Sequence, residues 1–369
     1  MLFLGVSAVS SATRRRSGAF ALRFASASLR LSGLRPRFRP LTLRNNRPFT
    51  SSKVQSPSSK VLRLTSFVQS HFFMTPPAHY WPSKLLLFGE HTVLRGSRAL
   101  AIPLTLFGAR WAISNDTKNQ YDLPKMADWL RVQPACLGID VDMFLQSLTE
   151  GWHLAANIPQ GYGVGSSGVV CAALLTTFGL PSNQGTDLAF LKARLANMEG
   201  FFHGSSSGID PLVSFVRQPI LLNGSDVPKT VATSNTAMPD GAAIFLLDTK
   251  LPRSGAPFIQ YVSSQCRQPN CLSALSDGYL SAVDEAIDSY LAGNWEALLV
   301  NTGVISQFQQ DWWPGVIPEK VRPIWQAGLQ NRAYFLKTCG AGGGGFVLGI
   351  TPDWAKTQLL LTDWTLHKL

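Results

Sequence analysis

The chain has 369 residues with 33 Lys+Arg against 22 Asp+Glu, a formal net charge of +11. That excess is local: residues 1–73 carry 13 Lys+Arg, 11 of them Arg, with no Asp or Glu, and all ten Trp lie beyond them. The remaining 296 residues are slightly acidic, which excludes the basic stripe of a nucleic-acid-binding domain, and they are numerous enough to bury a large core.

The segment 1–73 is rich in Arg and also holds 14 Ser, a composition that predicts disorder. Lack of acids with abundant Arg and Ser fits an organelle transit peptide, and equally a stretch upstream of a true start at Met74. The first reading places the protein in a mitochondrion or plastid, the second in the cytoplasm. The five cysteines are odd in number and none shows C-x2-C spacing, so reduced thiols are expected. No apolar run reaches the ~20 residues of a membrane span.

From residue 74 the elements follow in order. Lys84–Gly89 reads as a buried strand and Leu100–Ser114 as a second. Asn115–Leu123 is a polar turn, and Met126–Val132 and Asp140–Leu148 are short helices. His153–Ile158 is a strand leading to Gly161–Gly168, after which Val169–Phe178 is a helix of small apolar residues. Asp187–Phe202 is amphipathic, with Leu188, Leu191, Leu195 and Met198 at helical spacing. Gly204–Pro211 is a Ser/Gly loop and Ala242–Leu247 a central strand. Leu272–Leu291, Trp295–Gln309 and Pro318–Asn331 read as helices. Arg332–Cys339 and Phe346–Ile350 are strands around the glycine turn Gly340–Gly345. The order is α+β rather than a steady βαβ alternation. A break within Ser225–Asp240 divides a 74–225 domain from a 226–369 domain.

Three glycine-dense loops point to backbone closely approaching a ligand. Pro159–Gly168 (PQGYGVGSSG) opens a helix, where free N–H groups and the positive helix end favour phosphate. It contains G-x-G-x-x-G, but no acid closes a second strand about 20 residues on, and no Lys follows as in a P-loop. The second cluster is Glu199–Pro211 (EGFFHGSSSGIDP). Glu199 falls on or beside its helix's buried stripe, where a carboxylate needs a partner or a metal. Asp210 precedes Pro211 and is expected in extended conformation. Two such carboxylates suit one Mg²⁺ ligand and one general base; alternatively Glu199 pairs with a Lys and Asp210 caps a turn. His203 is expected to hydrogen-bond within its loop. Gly204–Gly208 also fits the G-x-S-x-G nucleophile elbow around Ser206, but it follows a helix instead of a strand, against a hydrolase. Lys84 opens its strand and Glu90 and His91 end it; a Lys beside a catalytic Asp would orient it. Lys337–Gly345 (KTCGAGGGG) is a strand and a turn that leaves room for a phosphate.

Together and in this order, Ser83–His91, Pro159–Gly168, Glu199–Asp210 and Cys339–Gly345 resemble the motifs of the GHMP kinases, over residues 80–350. The run from Glu199 to Asp210 in H-G-x-x-S-G-I-D is similar to that of the mevalonate kinases. The resemblance implies a two-domain α+β fold, ribosomal protein S5-like then ferredoxin-like. It implies ATP and Mg²⁺ as cofactors and a small-molecule alcohol as substrate, with mevalonate first and phosphomevalonate or a sugar as alternatives. A non-catalytic nucleotide-binding regulator on the same fold is a further alternative; a homodimer is possible. Residue by residue, Asp210 would be the base and Lys84 its neighbour at the transferring phosphoryl. Ser167 and Glu199 would ligate Mg²⁺. Gly161, Gly163, Gly165, Ser166, Ser167, Gly168, Gly342 and Gly343 would bind the nucleotide. Such a set is what phosphoryl transfer requires: positioning, charge neutralisation and an oriented nucleophile.

Overall fold

The computed structural model describes residues 75–114, 121–134, 137–181, 187–224, 227–252 and 255–369, all in one compact unit. The basic extension 1–73, most of the expected turn at 115–123, Cys136 and the start of the expected break at 225–240 lie outside the described residues.

The fold is α+β, built on two antiparallel sheets. The first contains β1 (Trp81–Phe88), β2 (Arg98–Ile113), β3 (Trp152–Ala156), β4 (Ile220–Asn223) and β5 (Lys229–Thr230). The 16-residue β2 is its spine: Arg98–Ala101 pairs with β4, Ala109–Ile113 with β3, and β1 runs along the other edge, with Lys84 opposite Pro103. Helices α1 (Leu123–Arg131), α2 (Val141–Thr149), α3 (Ser166–Phe178), α4 (Leu188–His203) and α5 (Ile209–Val216) accompany this sheet. Helix α3 is apolar all round, so it is buried on nearly every face, between β1, α4 and α5.

The second sheet has the order β7 (Phe335–Thr338), β8 (Phe346–Thr351), β6 (Ala243–Asp248), β9 (Thr365–Lys368). With it go α6 (Gly255–Gln265), α7 (Pro269–Ala274), α8 (Leu280–Ala292), α9 (Trp295–Trp312), α10 (Arg322–Asn331) and α11 (Trp354–Leu360). A π-turn at Leu275–Tyr279 joins α7 to α8, so the expected helix 272–291 is one run with a local underwinding. Strand β5 pairs with β4, so the first sheet continues past residue 225. No helix among the described residues is long and apolar enough to cross a membrane.

Three local expectations change. Helix α3 begins at Ser166 instead of Val169, because Gly165 takes the left-handed N-cap (φ +80°) and frees the serines to form the first turn. Asp210 is not extended before a proline; it is the second residue of α5, with Pro211 behind it. Proline is tolerated there because a first-turn N–H has no helical acceptor to lose. Helices α5, α6 and α11 and strands β4 and β9 were not expected, being short or flanked by Gly and Pro.

Candidate active site

The site forms where β1, the N-termini of α3 and α5, and the C-terminus of α4 meet. The backbone N–H of Lys84 donates to Val164 O at 3.0 Å, fastening the glycine loop to β1. A Cβ on Gly165 would sit 2.9 Å from Lys84 Cγ and 3.6 Å from Asp210 Cβ, so glycine is required by both φ and space. Helix α3 starts with its first bond from Val169 N–H to Gly165 O. The N–H groups of Ser166, Ser167 and Gly168 therefore have no acceptor within the helix, the arrangement that binds anions.

Two polar groupings stand beside this loop. In the first, Lys84 Nζ lies 2.9 Å from Asp210 Oδ1. Lys84 is a buried ion-pair partner. In the second, Glu199 is 4% exposed on α4. Ser167 Oγ donates to its Oε1 at 2.7 Å, and Ser206 Oγ donates to its Oε2. His203 Nε2 lies 3.0 Å from Ser167 Oγ, so its bond reaches α3 instead of its own loop. Burial raises the Glu199 pKa, and the nearby Asp210 carboxylate adds to this; the two serine hydrogen bonds and His203 oppose it. No Lys or Arg pairs with Glu199 among the described residues. Ser206 follows a helix, as expected, and its hydroxyl serves Glu199 instead of a nucleophile's base.

A cavity of ≈ 660 Å³ opens in front of these groups. Gly161, Gly163, Gly165, Ser166, Ser167, His203 and Asp210 line it, joined by Tyr121, Asp122, Lys125 and Gly255. The last four were missed in the sequence. The signal for α1 was there, an Asp122 N-cap before Pro124 and Lys125, but nothing placed that helix start opposite the glycine loop. Gly168 is not on the cavity wall: its Cβ would be 2.7 Å from Pro211 N, so it is the contact point of α3 with α5.

The third glycine run supports the loop from behind. A Cβ on Gly345 would lie 2.6 Å from Tyr162 O, the loop's own backbone. Gly342 and Gly343 are not among the cavity's lining residues. They pack on Val316 and Phe258, with Gly343 N–H bonded to Val316 O at 2.7 Å.

Behind the end of β1, Lys337 Nζ meets Glu90 Oε1 at 2.7 Å, both nearly fully buried. Gln309 Nε2 donates to the same oxygen at 3.1 Å and Gln309 Oε1 accepts from Thr338 N–H at 2.9 Å. A second cavity, ≈ 420 Å³, has Leu86, Glu90, His91, Arg95, Ser263 and Gly340 among its lining residues.

The donor set fits a hard cation. It is oxygen-rich, and it buries one carboxylate with no lysine or arginine to neutralise it. Among the described residues no group of three or more His, Cys, Asp and Glu forms a cage. Mg²⁺ needs none, since it is commonly held by one or two carboxylates and substrate phosphates.

No protein-family model matches the chain. A mevalonate kinase of Pyrococcus abyssi (strain GE5 / Orsay) is 24% identical over 316 residues, which cover 73% of this chain and 87% of that protein. A phosphomevalonate kinase of Streptococcus pneumoniae, solved with phosphomevalonate and AMPPNP, superposes with a TM-score of 0.55 at 18% identity, covering 80% of this chain and 100% of its own. The L. major mevalonate kinase, solved with R-mevalonate, gives 0.51 at 19% identity, covering 78% and 90%. The fold of these proteins is the fold of this chain.

Proposed function

We infer, from the premise that the chain belongs to the GHMP kinases, that it transfers the γ-phosphoryl group of ATP to the primary hydroxyl of mevalonate. The observation that carries this reading is the Lys84–Asp210 pair at the edge of a cavity walled by the N-terminus of α3. A regulator that only bound nucleotide would have no use for a carboxylate held by a lysine beside the phosphate loop.

In this reading each of these groups has a role. Gly161–Ser166 and the first N–H groups of α3 cradle the phosphates. Ser167 and Glu199 hold Mg²⁺, which when bound neutralises charge on the phosphates. Asp210, one-third exposed, receives the acceptor's hydroxyl proton. Lys84 fixes the orientation of that carboxylate and places a positive charge near the transferring group.

Mevalonate is favoured by the second cavity. Lys84 and Leu86 are two apart on β1 and so share a face, about 7 Å from one another. The cavity that Leu86 lines is therefore on the side of the Lys84–Asp210 pair. It contains a cation, Arg95, for a carboxylate. Release of ADP from Mg-ATP by the full chain, with mevalonate, phosphomevalonate, galactose and homoserine in parallel, tests the assignment. Mevalonate should give the highest kcat/KM; activity with another acceptor alone would leave the kinase class and remove this substrate.

A further inference from the structure

As a metal ligand, Glu199 needs its carboxylate held in one orientation. The side chain is on α4, it is buried, and no Lys or Arg among the described residues restrains it. What restrains it is a pair of hydroxyls, one on each oxygen. Ser167 is itself on the cavity wall and is assigned to the metal, so its hydroxyl cannot serve only as a brace. Ser206 has no such second duty. Its oxygen accepts the Gly208 N–H at 2.9 Å, which leaves its single proton for Glu199 Oε2.

The loop that carries Ser206 is itself pinned. Gly208 is the left-handed N-cap of α5 (φ +74°), and a Cβ there would lie 2.3 Å from Lys192 O on α4. Two residues later comes Asp210. One hydroxyl thus connects the carboxylate of α4 with the turn that starts the base's helix.

We propose that Ser206 is a positioning residue, which by bonding Glu199 Oε2 and the Gly208 N–H sets the orientation of the metal-binding carboxylate relative to Asp210. The proposal rests on the kinase reading of the site. It gives Ser206 a function toward Mg²⁺ without contact to the metal. A hydrogen bond to a charged group contributes enough to stability that its loss should weaken cation binding by about tenfold or more.

The test measures binding without turnover. Mn²⁺ titrated into the full chain with AMPPNP, followed by electron paramagnetic resonance, gives a cation Kd. Wild type, Ser206→Ala, Ser206→Thr, Ser206→Val and Glu199→Gln are compared, with thermal melting of each in the absence of ligand. Ser206→Thr should bind Mn²⁺ within a few-fold of wild type, and Ser206→Val and Ser206→Ala about tenfold or more weakly. Thr and Val have the same shape, so their difference reports the hydroxyl even if Ala lowers the melting temperature. Equal Kd for Thr and Val would overturn the proposal. If Glu199→Gln also binds Mn²⁺ like wild type, the kinase reading of this carboxylate fails instead.

Discussion

Lys84 Nζ and Asp210 Oδ1 lie 2.9 Å apart, joining the fourth residue of β1 to the second residue of α5. Gly165 fits between them only because it has no side chain. Strand, glycine loop and Asp210 are thereby packed as one unit, so the Asp210 carboxylate is held by the same contacts that shape the loop.

That arrangement separates chemistry from binding. Asp210→Asn preserves size but removes the proton acceptor, so kcat should fall by roughly 10²–10⁴-fold. The affinity for ATP should stay within a few-fold, because the loop and α3 are untouched. Steady-state kinetics together with nucleotide titration check both halves.

Glu199→Gln should act on the ground state as well as the transition state. Its carboxylate is buried and accepts hydrogen bonds from Ser167 and Ser206, and a metal ligand acts before as well as during the transfer. The expected outcome is a higher KM for Mg-ATP and a higher Mg²⁺ concentration for half-maximal rate. Kinetics with Mg²⁺ varied at fixed ATP would read this directly.

The Glu90–Lys337 pair should govern stability and its pH dependence. Lys337→Met leaves a buried, unpaired carboxylate, which costs about 3–5 kcal/mol at neutral pH. Burial already pushes the Glu90 pKa up, with Lys337 opposing it. A raised folded-state pKa means that the folded protein binds protons more tightly than the unfolded chain. Stability is then fully present below the ordinary carboxylate range and declines as pH rises through the raised value. Without Lys337 that rise is larger, so the variant's deficit should shrink between pH 8 and pH 5. Urea unfolding at the two pH values measures it; a deficit independent of pH would refute the electrostatic account.

Arg95→Met tests the second cavity. If Arg95 meets the acceptor's carboxylate, loss of a charged hydrogen bond should raise the KM for mevalonate by about tenfold or more. The KM for ATP should be unchanged. Initial rates with each substrate varied separately distinguish the two.

The candidate residues were legible because their type and spacing are local properties of the sequence. Glu199 falls on the buried stripe set by Leu191 and Leu195, and both are buried in α4. Lys84, Ser167, Glu199 and Asp210 do converge. What could not be read depends on contacts between distant segments. Nothing local says that Glu90 meets Lys337, or that Tyr121 and Lys125 face the glycine loop. The resemblance singled out Gly342 and Gly343, whereas the packing sets Gly345 against Tyr162. Helix α5 was hidden by Gly208 and Pro211, residues that usually signal a loop and here form its cap and first turn.

The most direct test of the central claim is ³¹P nuclear magnetic resonance of the product formed by the full chain from Mg-ATP and mevalonate. The account predicts loss of the ATP γ resonance, growth of ADP, and a new phosphomonoester signal coupled to the protons of a terminal methylene. ATP consumed to ADP and inorganic phosphate with no new phosphomonoester signal, or no consumption at all, would contradict it.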